Sequence, residues 1–340
     1  MPDPLLYLKS MTAAAIVSAV VMMAMVAAGR AAQNAWRNSA CVIAVGTGLA
    51  IAFRVQSMWP TWPPVSALDR LVLIVLPIVL SLELLAGFRA ITDRTAWSLR
   101  IVLAVVTPRI LLHGSVYLDG SDVNWTMARI GVAMAISAVL LVLTWRLLVL
   151  LSLRSEGPSI PFALAITLLC GGASIMLAGY IKGGAAAFPF AATLSGVAVT
   201  LSISRWRRPT VDGGNTGCGG TALIGIGLVT LFSLLFIGRF FGRLSTVDGL
   251  VLLLTPLLCW VSELTVLKRQ RPWMVGTMRL LVVAVPLTVV VVNARLDFDR
   301  RMGPLLLQKF SSLPSAAVGI IFGTNICPVD ASTNTTVPSS

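Results

Sequence analysis

"LDRLVLIVLPIVL" (residues 68–80) and "VDGLVLLLTPLLC" (residues 247–259) spell one membrane segment twice. Each places an aspartate (Asp69, Asp248) eight residues ahead of a proline (Pro77, Pro256) and carries Leu-Val-Leu at the same three positions. The two aspartates are 179 residues apart, and further matches fall under that single offset. Gly46 meets Gly225, Gly48 meets Gly227, Phe53 meets Phe232, Ser66 meets Ser245 and Arg100 meets Arg279. After a one-residue slip Pro108 meets Pro286 and Asp119 meets Asp297. Leucine and valine recur by chance in apolar sequence, whereas Asp, Arg, Phe and Pro under one offset indicate an internal duplication.

The rest of the chain has the same character. Charged residues make up 11% of it, against roughly 25% in soluble domains, and the mean hydropathy is +0.90. Spanning about 30 Å of hydrocarbon takes roughly 17–25 apolar residues in a helix. Ten stretches qualify: 11–29, 39–54, 67–88, 96–117, 127–150, 159–181, 185–204, 220–241, 247–267 and 274–294. An eleventh, 305–323, is interrupted by Gln308, Lys309 and Pro314. Backbone in lipid must satisfy its own hydrogen bonds. The expectation is therefore an all-α, polytopic integral membrane bundle of 10–11 helices. Lys9, an apolar run and "VAAG" imitate a signal peptide, but the run is long for one, and a retained helix is expected.

Spans 2–4 correspond to spans 8–10. Six helices separate each pair, an even number, so the copies point the same way: a parallel repeat about an axis along the membrane normal. The expected organisation is a first repeat over 1–158, a connector helix over 159–184, a second repeat over 185–323 and a polar, disordered tail over 324–340. The layout is similar to that of the major facilitator transporters, on a comparable repeat length. It departs from them after span 2, where that family carries a Gly-Asp-Arg-Gly pattern and this chain reads "QSMWPTWPPVS" (56–66). The similarity is one of layout and implies no membership.

A net charge of +13 raises the question of a nucleic-acid partner. The basic residues are scattered over short loops, which fits topology setting and contact with lipid headgroups. Loops after the odd-numbered spans hold twelve Lys and Arg against ten on the other side. With the compact "RWRR" (205–208) and "KRQR" (268–271), this puts the N-terminus outside, in a plasma or inner membrane. Cys41, Cys170, Cys218, Cys259 and Cys327 show no CxxC spacing, so neither a metal site nor a disulfide framework is expected. No cofactor is expected either. "DGGNTGCGG" (212–220) lacks the Gly-Lys-Ser/Thr ending of a phosphate loop and is taken as a linker.

Ionisable groups at membrane depth are expensive and are paired, snorkelling or functional. Two residues of an antiparallel hairpin lie at equal depth when their numbers sum to twice the turn centre. Glu83 and Arg100 imply a centre at 91.5, and Glu263 and Arg279 one at 271, each inside a short loop. These four are the candidate transport or ion-pair residues. Asp69 with His113 and Asp248 with Arg295 imply similar centres nearer the other end. Together with Arg109 they form a candidate outer-interface cluster. The first expected function is a permease moving a small solute or ion between the halves, with Glu83 and Glu263 lining a central path. The second is a non-transporting scaffold or subunit of a membrane complex, in which the pairs lock each hairpin. The third is an enzyme using the sole histidine, His113, with Asp69, Tyr117 and Asp119, on a lipid-linked substrate. The partners so implied are the bilayer, a small solute or ion, and other copies or subunits. Small-residue runs "GGASIMLAG" (171–179) and "GVAMAISAV" (131–139) are expected to be helix contacts.

Overall fold

The computed structural model describes residues 4–28, 34–87, 91–115, 117–118, 126–154, 158–207, 220–263 and 272–311. Helix accounts for 88% of the structure, with no strand among the described residues. The α-helices are α1 (Pro4–Ala28), α2 (Asn34–Val55), α3 (Ala67–Arg70), α4 (Leu76–Ala86), α5 (Asp93–Leu112), α6 (Met127–Arg154), α7 (Ser159–Leu177), α8 (Ile181–Arg207), α9 (Thr221–Phe240), α10 (Thr246–Leu254) and α11 (Pro272–Ser311). Eight of them are long and apolar enough to cross a membrane. The chain is a multi-pass membrane protein with an all-α bundle.

Each of the two stretches quoted at the outset enters a segment in which the helix leaves α geometry. In the first, a wide π turn over Leu71–Val75 separates α3 from α4, and the Leu76 N–H reaches back five residues to the Leu71 carbonyl. Pro77 has no N–H to donate, and its ring presses on the carbonyl four residues earlier, that of Leu73. Widening the turn around Leu73 makes room for it. In the second, α10 tightens into a 3₁₀ helix over Thr255–Glu263 as Pro256 enters. The same proline is thus accommodated in opposite ways.

Both segments also begin alike. Ser66 caps α3: its hydroxyl accepts from the Asp69 N–H at 3.1 Å, and the Asp69 carboxylate accepts from the Ser66 N–H at 3.2 Å and hydroxyl at 2.7 Å. Ser245 and Asp248 hold the same two positions at the start of α10, where the Ser245 side chain makes no capping bond. The aspartate of the repeated motif is therefore first of all a helix-start residue.

Residues Met1–Arg295 form one compact unit, and Leu296–Ser340 a second. The axis of the first unit is α9, buried at every residue from Ala222 to Gly238. It packs against α2, α4, α5, α6, α7, α8 and α10. Close approach depends on glycine where α7 crosses α8. A Cβ on Gly172 would stand 2.7 Å from Ala187 Cβ and 2.9 Å from the Gly184 carbonyl oxygen. The helix contact expected of "GGASIMLAG" is present. That expected of "GVAMAISAV" is made by one face only: Ala138 is buried and Met134 packs on the core, whereas a Cβ on Gly131 would meet nothing within 4 Å, and Val132, Ile136 and Val139 are more than half exposed. The latter face of α6 is spelled like an interface and presented outward, as are Ile16, Val20 and Met23 on α1.

The loop expected between residues 295 and 305 is absent, and α11 runs through it as one helix of 40 residues. "NARLDFDRR" breaks the apolar run but not the helix, since polar residues form helices well in water. Within the second unit, Arg300 and Asp297 sit 3.8 Å apart on exposed, adjacent turns. Residues 312–323, the remainder of the expected eleventh span, lie outside the described residues. So do the tail at 324–340 and nearly all of the 212–220 linker.

Candidate functional site

Glu83 stands one turn before the end of α4, and Arg100 two turns into α5, with a short loop between the helices. The antiparallel hairpin brings the side chains face to face. The Arg100 Nε donates to Glu83 Oε1 at 2.9 Å and Nη2 to Oε2 at 2.8 Å, a bidentate pair. Glu83 is fully buried and Arg100 is 7% exposed. Ionised side chains stay at such depth only when their hydrogen bonds are met.

Three further elements enclose the pair. Gly225 of α9 lies against the carboxylate; a Cβ there would fall 2.5 Å from Glu83 Oε1 and 2.9 Å from Trp145 Cζ2. Trp145 of α6 and Trp97 of α5 put their rings 5.6 and 5.2 Å from the Arg100 guanidinium carbon, in cation–π range. The Asn38 amide of α2 donates to the Glu83 backbone carbonyl at 2.7 Å, serving one of the carbonyls that the end of α4 leaves open. Two buried polar atoms beside the pair, Asn38 Oδ1 and Trp145 Nε1, have no hydrogen-bond partner among the described residues.

A cleft of about 840 Å³ leads from the surface to Arg100. Its walls come from the starts of α2, α5 and α9 and the ends of α4 and α6, all at one end of the bundle, the end that carries the loops after the odd-numbered spans. Arg94, Arg100, Arg146, Asp93 and Asn38 line it together with an apolar strip along α6. The Arg146 guanidinium lies 4.7 Å from the Trp97 ring, so Trp97 is flanked by two arginines. Glu83 is not among the lining residues; it lies behind Arg100, sealed by α9.

The residues matched at the 179-residue offset are set differently where they can be compared. Arg279 is buried, and its Nη1 donates to the Ser159 hydroxyl of α7 at 2.9 Å. Glu263 ends the 3₁₀ helix, and its side chain lies outside what is described. Gly46, the counterpart of Gly225, faces Leu80 Cδ1 at an ordinary 3.6 Å, with no carboxylate on it.

Of the outer-interface cluster, Asp69 and Asp248 occupy helix-start positions, and His113, Arg109 and Arg295 are exposed. His113 is the C-cap of α5, donating its backbone N–H to Ile110. Arg70, which sequence reasoning passed over, is the residue that ties this end together. Its guanidinium donates to the Val65 carbonyl at 3.0 Å and to the Leu111 carbonyl at 3.4 Å, joining the loop before α3 to the end of α5. Asp69 also acts on Tyr180, in the turn between α7 and α8: burial, and then the field of Asp69, raise the Tyr180 hydroxyl above its ordinary range. The Tyr117 hydroxyl donates to the Phe240 carbonyl at 2.9 Å, closing the end of α9. Asp119 lies outside the described residues. No grouping of three metal-ligating side chains occurs among the described residues.

Arg94, Arg146, Trp97 and Asn38 were not singled out from sequence. The signal lay in "DRTAW" (93–97), an acid, a base and an aromatic at the start of a helix whose next turn carries Arg100. No protein-family model, curated protein or solved structure matches the chain.

Proposed function

We propose that the chain is a non-transporting membrane scaffold or subunit, whose buried ion pair fixes the geometry of its helices. One observation carries this: α9, buried from Ala222 to Gly238, fills the axis where a path between two halves would run, and it seals the Glu83 carboxylate against Gly225. Alternating access rocks one half against the other around a central site. Here α1 packs on both α2 and α8, while α9 packs on α2, α4, α5 and α6 as well as on α8, so the two expected halves are interleaved within one compact unit. Buried ion pairs commonly specify an arrangement with little net gain in stability, which is the role a scaffold requires.

A permease for a small solute or ion is the second reading, favoured by the cleft that descends to the Arg100 side of the pair. In that case the pair is the closed floor of a one-sided vestibule. With the N-terminus outside a plasma or inner membrane, the vestibule opens on the inner side.

Proteoliposomes enclosing a pH-sensitive dye, given a proton gradient and then potassium, phosphate or acetate outside, separate the two. The scaffold predicts fluxes equal to those of protein-free vesicles. A flux above that background, lost in Glu83→Gln, would overturn it in favour of the permease.

A further inference from the structure

We infer that the cleft at the basic end of the bundle is a binding site for a phosphate-type oxyanion, carried by a free solute or by the headgroup of an anionic lipid. Arg94 and Arg146 make no ion pair among the described residues, and both face the cleft. Arg100, whose Nε and Nη2 are committed to Glu83, closes the floor, so two uncommitted guanidinium forks, those of Arg94 and Arg146, line one space. Such forks match the oxygens of phosphate, and arginine sheds its hydration more readily than lysine. Glu83 neutralises Arg100 and Asp93 offsets one of the others, so the cleft keeps one net positive charge for a ligand to balance.

Two features make this more than a basic patch. Arg146 is held against the Trp97 face at 4.7 Å, so one donor group is positioned before any ligand arrives. Asn38, 4% exposed, forms part of the same wall, with its Nδ2 committed to the Glu83 carbonyl. Both α5 and α9 begin on the cleft wall, and the cap residue of α9, Gly220, offers no side chain to its first turn. Helix starts add a favourable field for an anion. The wall continues as Ile101, Val142, Val149 and Leu153, apolar surface along which an acyl chain could lie.

The test uses the full chain in lipid nanodiscs and two probes. Inorganic phosphate is titrated at constant ionic strength against chloride, and retained phosphatidylglycerol is counted against phosphatidylcholine by native mass spectrometry. At least one probe binds the wild type, and binding falls at least tenfold in Arg94→Gln/Arg146→Gln. It is unchanged in Arg109→Gln, an exposed arginine toward the other end of the bundle. Saturation by phosphate identifies a free solute as the source, and selective retention of phosphatidylglycerol a lipid headgroup; either supports the site. Failure of both probes to bind the wild type, or equal binding by the double variant, overturns it. Both substitutions are at exposed side chains, and an unchanged melting temperature confirms that the variant is folded. The outcome is independent of the flux experiment, because binding without flux retains the site and flux without binding refutes it.

Discussion

Removing Arg100 should damage the protein more than removing Glu83, and removing both should damage it least. Glu83 has no exposed surface, whereas Arg100 borders the cleft and is 7% exposed. In Arg100→Met the carboxylate is left behind α9 with no charged partner and no water. Breaking a buried pair from one side costs about 3–5 kcal/mol, and the loss of two cation–π contacts adds about 0.5–1 kcal/mol each. In Glu83→Met the surviving guanidinium keeps both tryptophans and can draw water from the cleft, so the cost sits at or below the lower end of that range. In Glu83→Met/Arg100→Met no charge is stranded. Apolar replacement of a buried pair is often neutral or better by about 1–4 kcal/mol, so the double variant should approach the wild type. The assay is thermal unfolding of all four proteins in the same nanodiscs, expressed as a double-mutant cycle. A double variant whose loss equals the sum of the single losses would refute the reasoning, because the two side chains would then not be coupled. A Glu83 variant less stable than the Arg100 variant would refute the assignment of Arg100 to the wet side.

The same melting assay checks two more contrasts between residues matched at the 179-residue offset. Gly225→Ala drives a methyl into Glu83 Oε1 and Trp145 and should cost roughly 1–3 kcal/mol through overpacking. Gly46→Ala, with only Leu80 at 3.6 Å, should be neutral or gain up to about 1 kcal/mol from helix propensity. Ser66→Ala removes a formed cap and should cost about 1 kcal/mol, while Ser245→Ala, which loses no side-chain cap bond, should cost clearly less.

Much of this fold is legible in sequence because lipid imposes simple rules. Uninterrupted apolar runs yield eight of the helices, and the two prolines at 77 and 256 mark the segments that are broken. Whether a proline is met by a wide turn or a tight one depends on what packs beside it, and no local pattern carries that. The level of Glu83 with Arg100 follows from hairpin arithmetic; their burial does not, because it depends on Gly225, 125 residues further along the chain than Arg100. From Ala222 to Gly238 α9 carries no charge and reads as apolar enough to face lipid, so its place on the axis is not written in its hydropathy. Its glycines at 225 and 227 are the available hint. The charged stretch after Val291 looks like a loop because it breaks the apolar run, yet charge ends a membrane span without ending a helix. The serine three residues before each repeated aspartate is a legible helix start, the first half of a capping box.

The position of α9 has a consequence for how the chain is made. Six of its neighbours, α2, α4, α5, α6, α7 and α8, precede it in the sequence and α10 follows it, so the helix at the centre is synthesised after most of the helices that surround it. The earlier helices must therefore keep a slot open, or part again, when residues 221–240 leave the ribosome. Until then Glu83 and Trp145 face whatever fills that slot. The glycine at 225 then acts as a register mark during insertion: an axial shift of one residue would set Ile224 or Ile226 against the carboxylate in its place. A ribosome stalled after residue 219 should leave an incomplete bundle open to crosslinking from Glu83 and susceptible to proteolysis, and release of the stall should close both routes together.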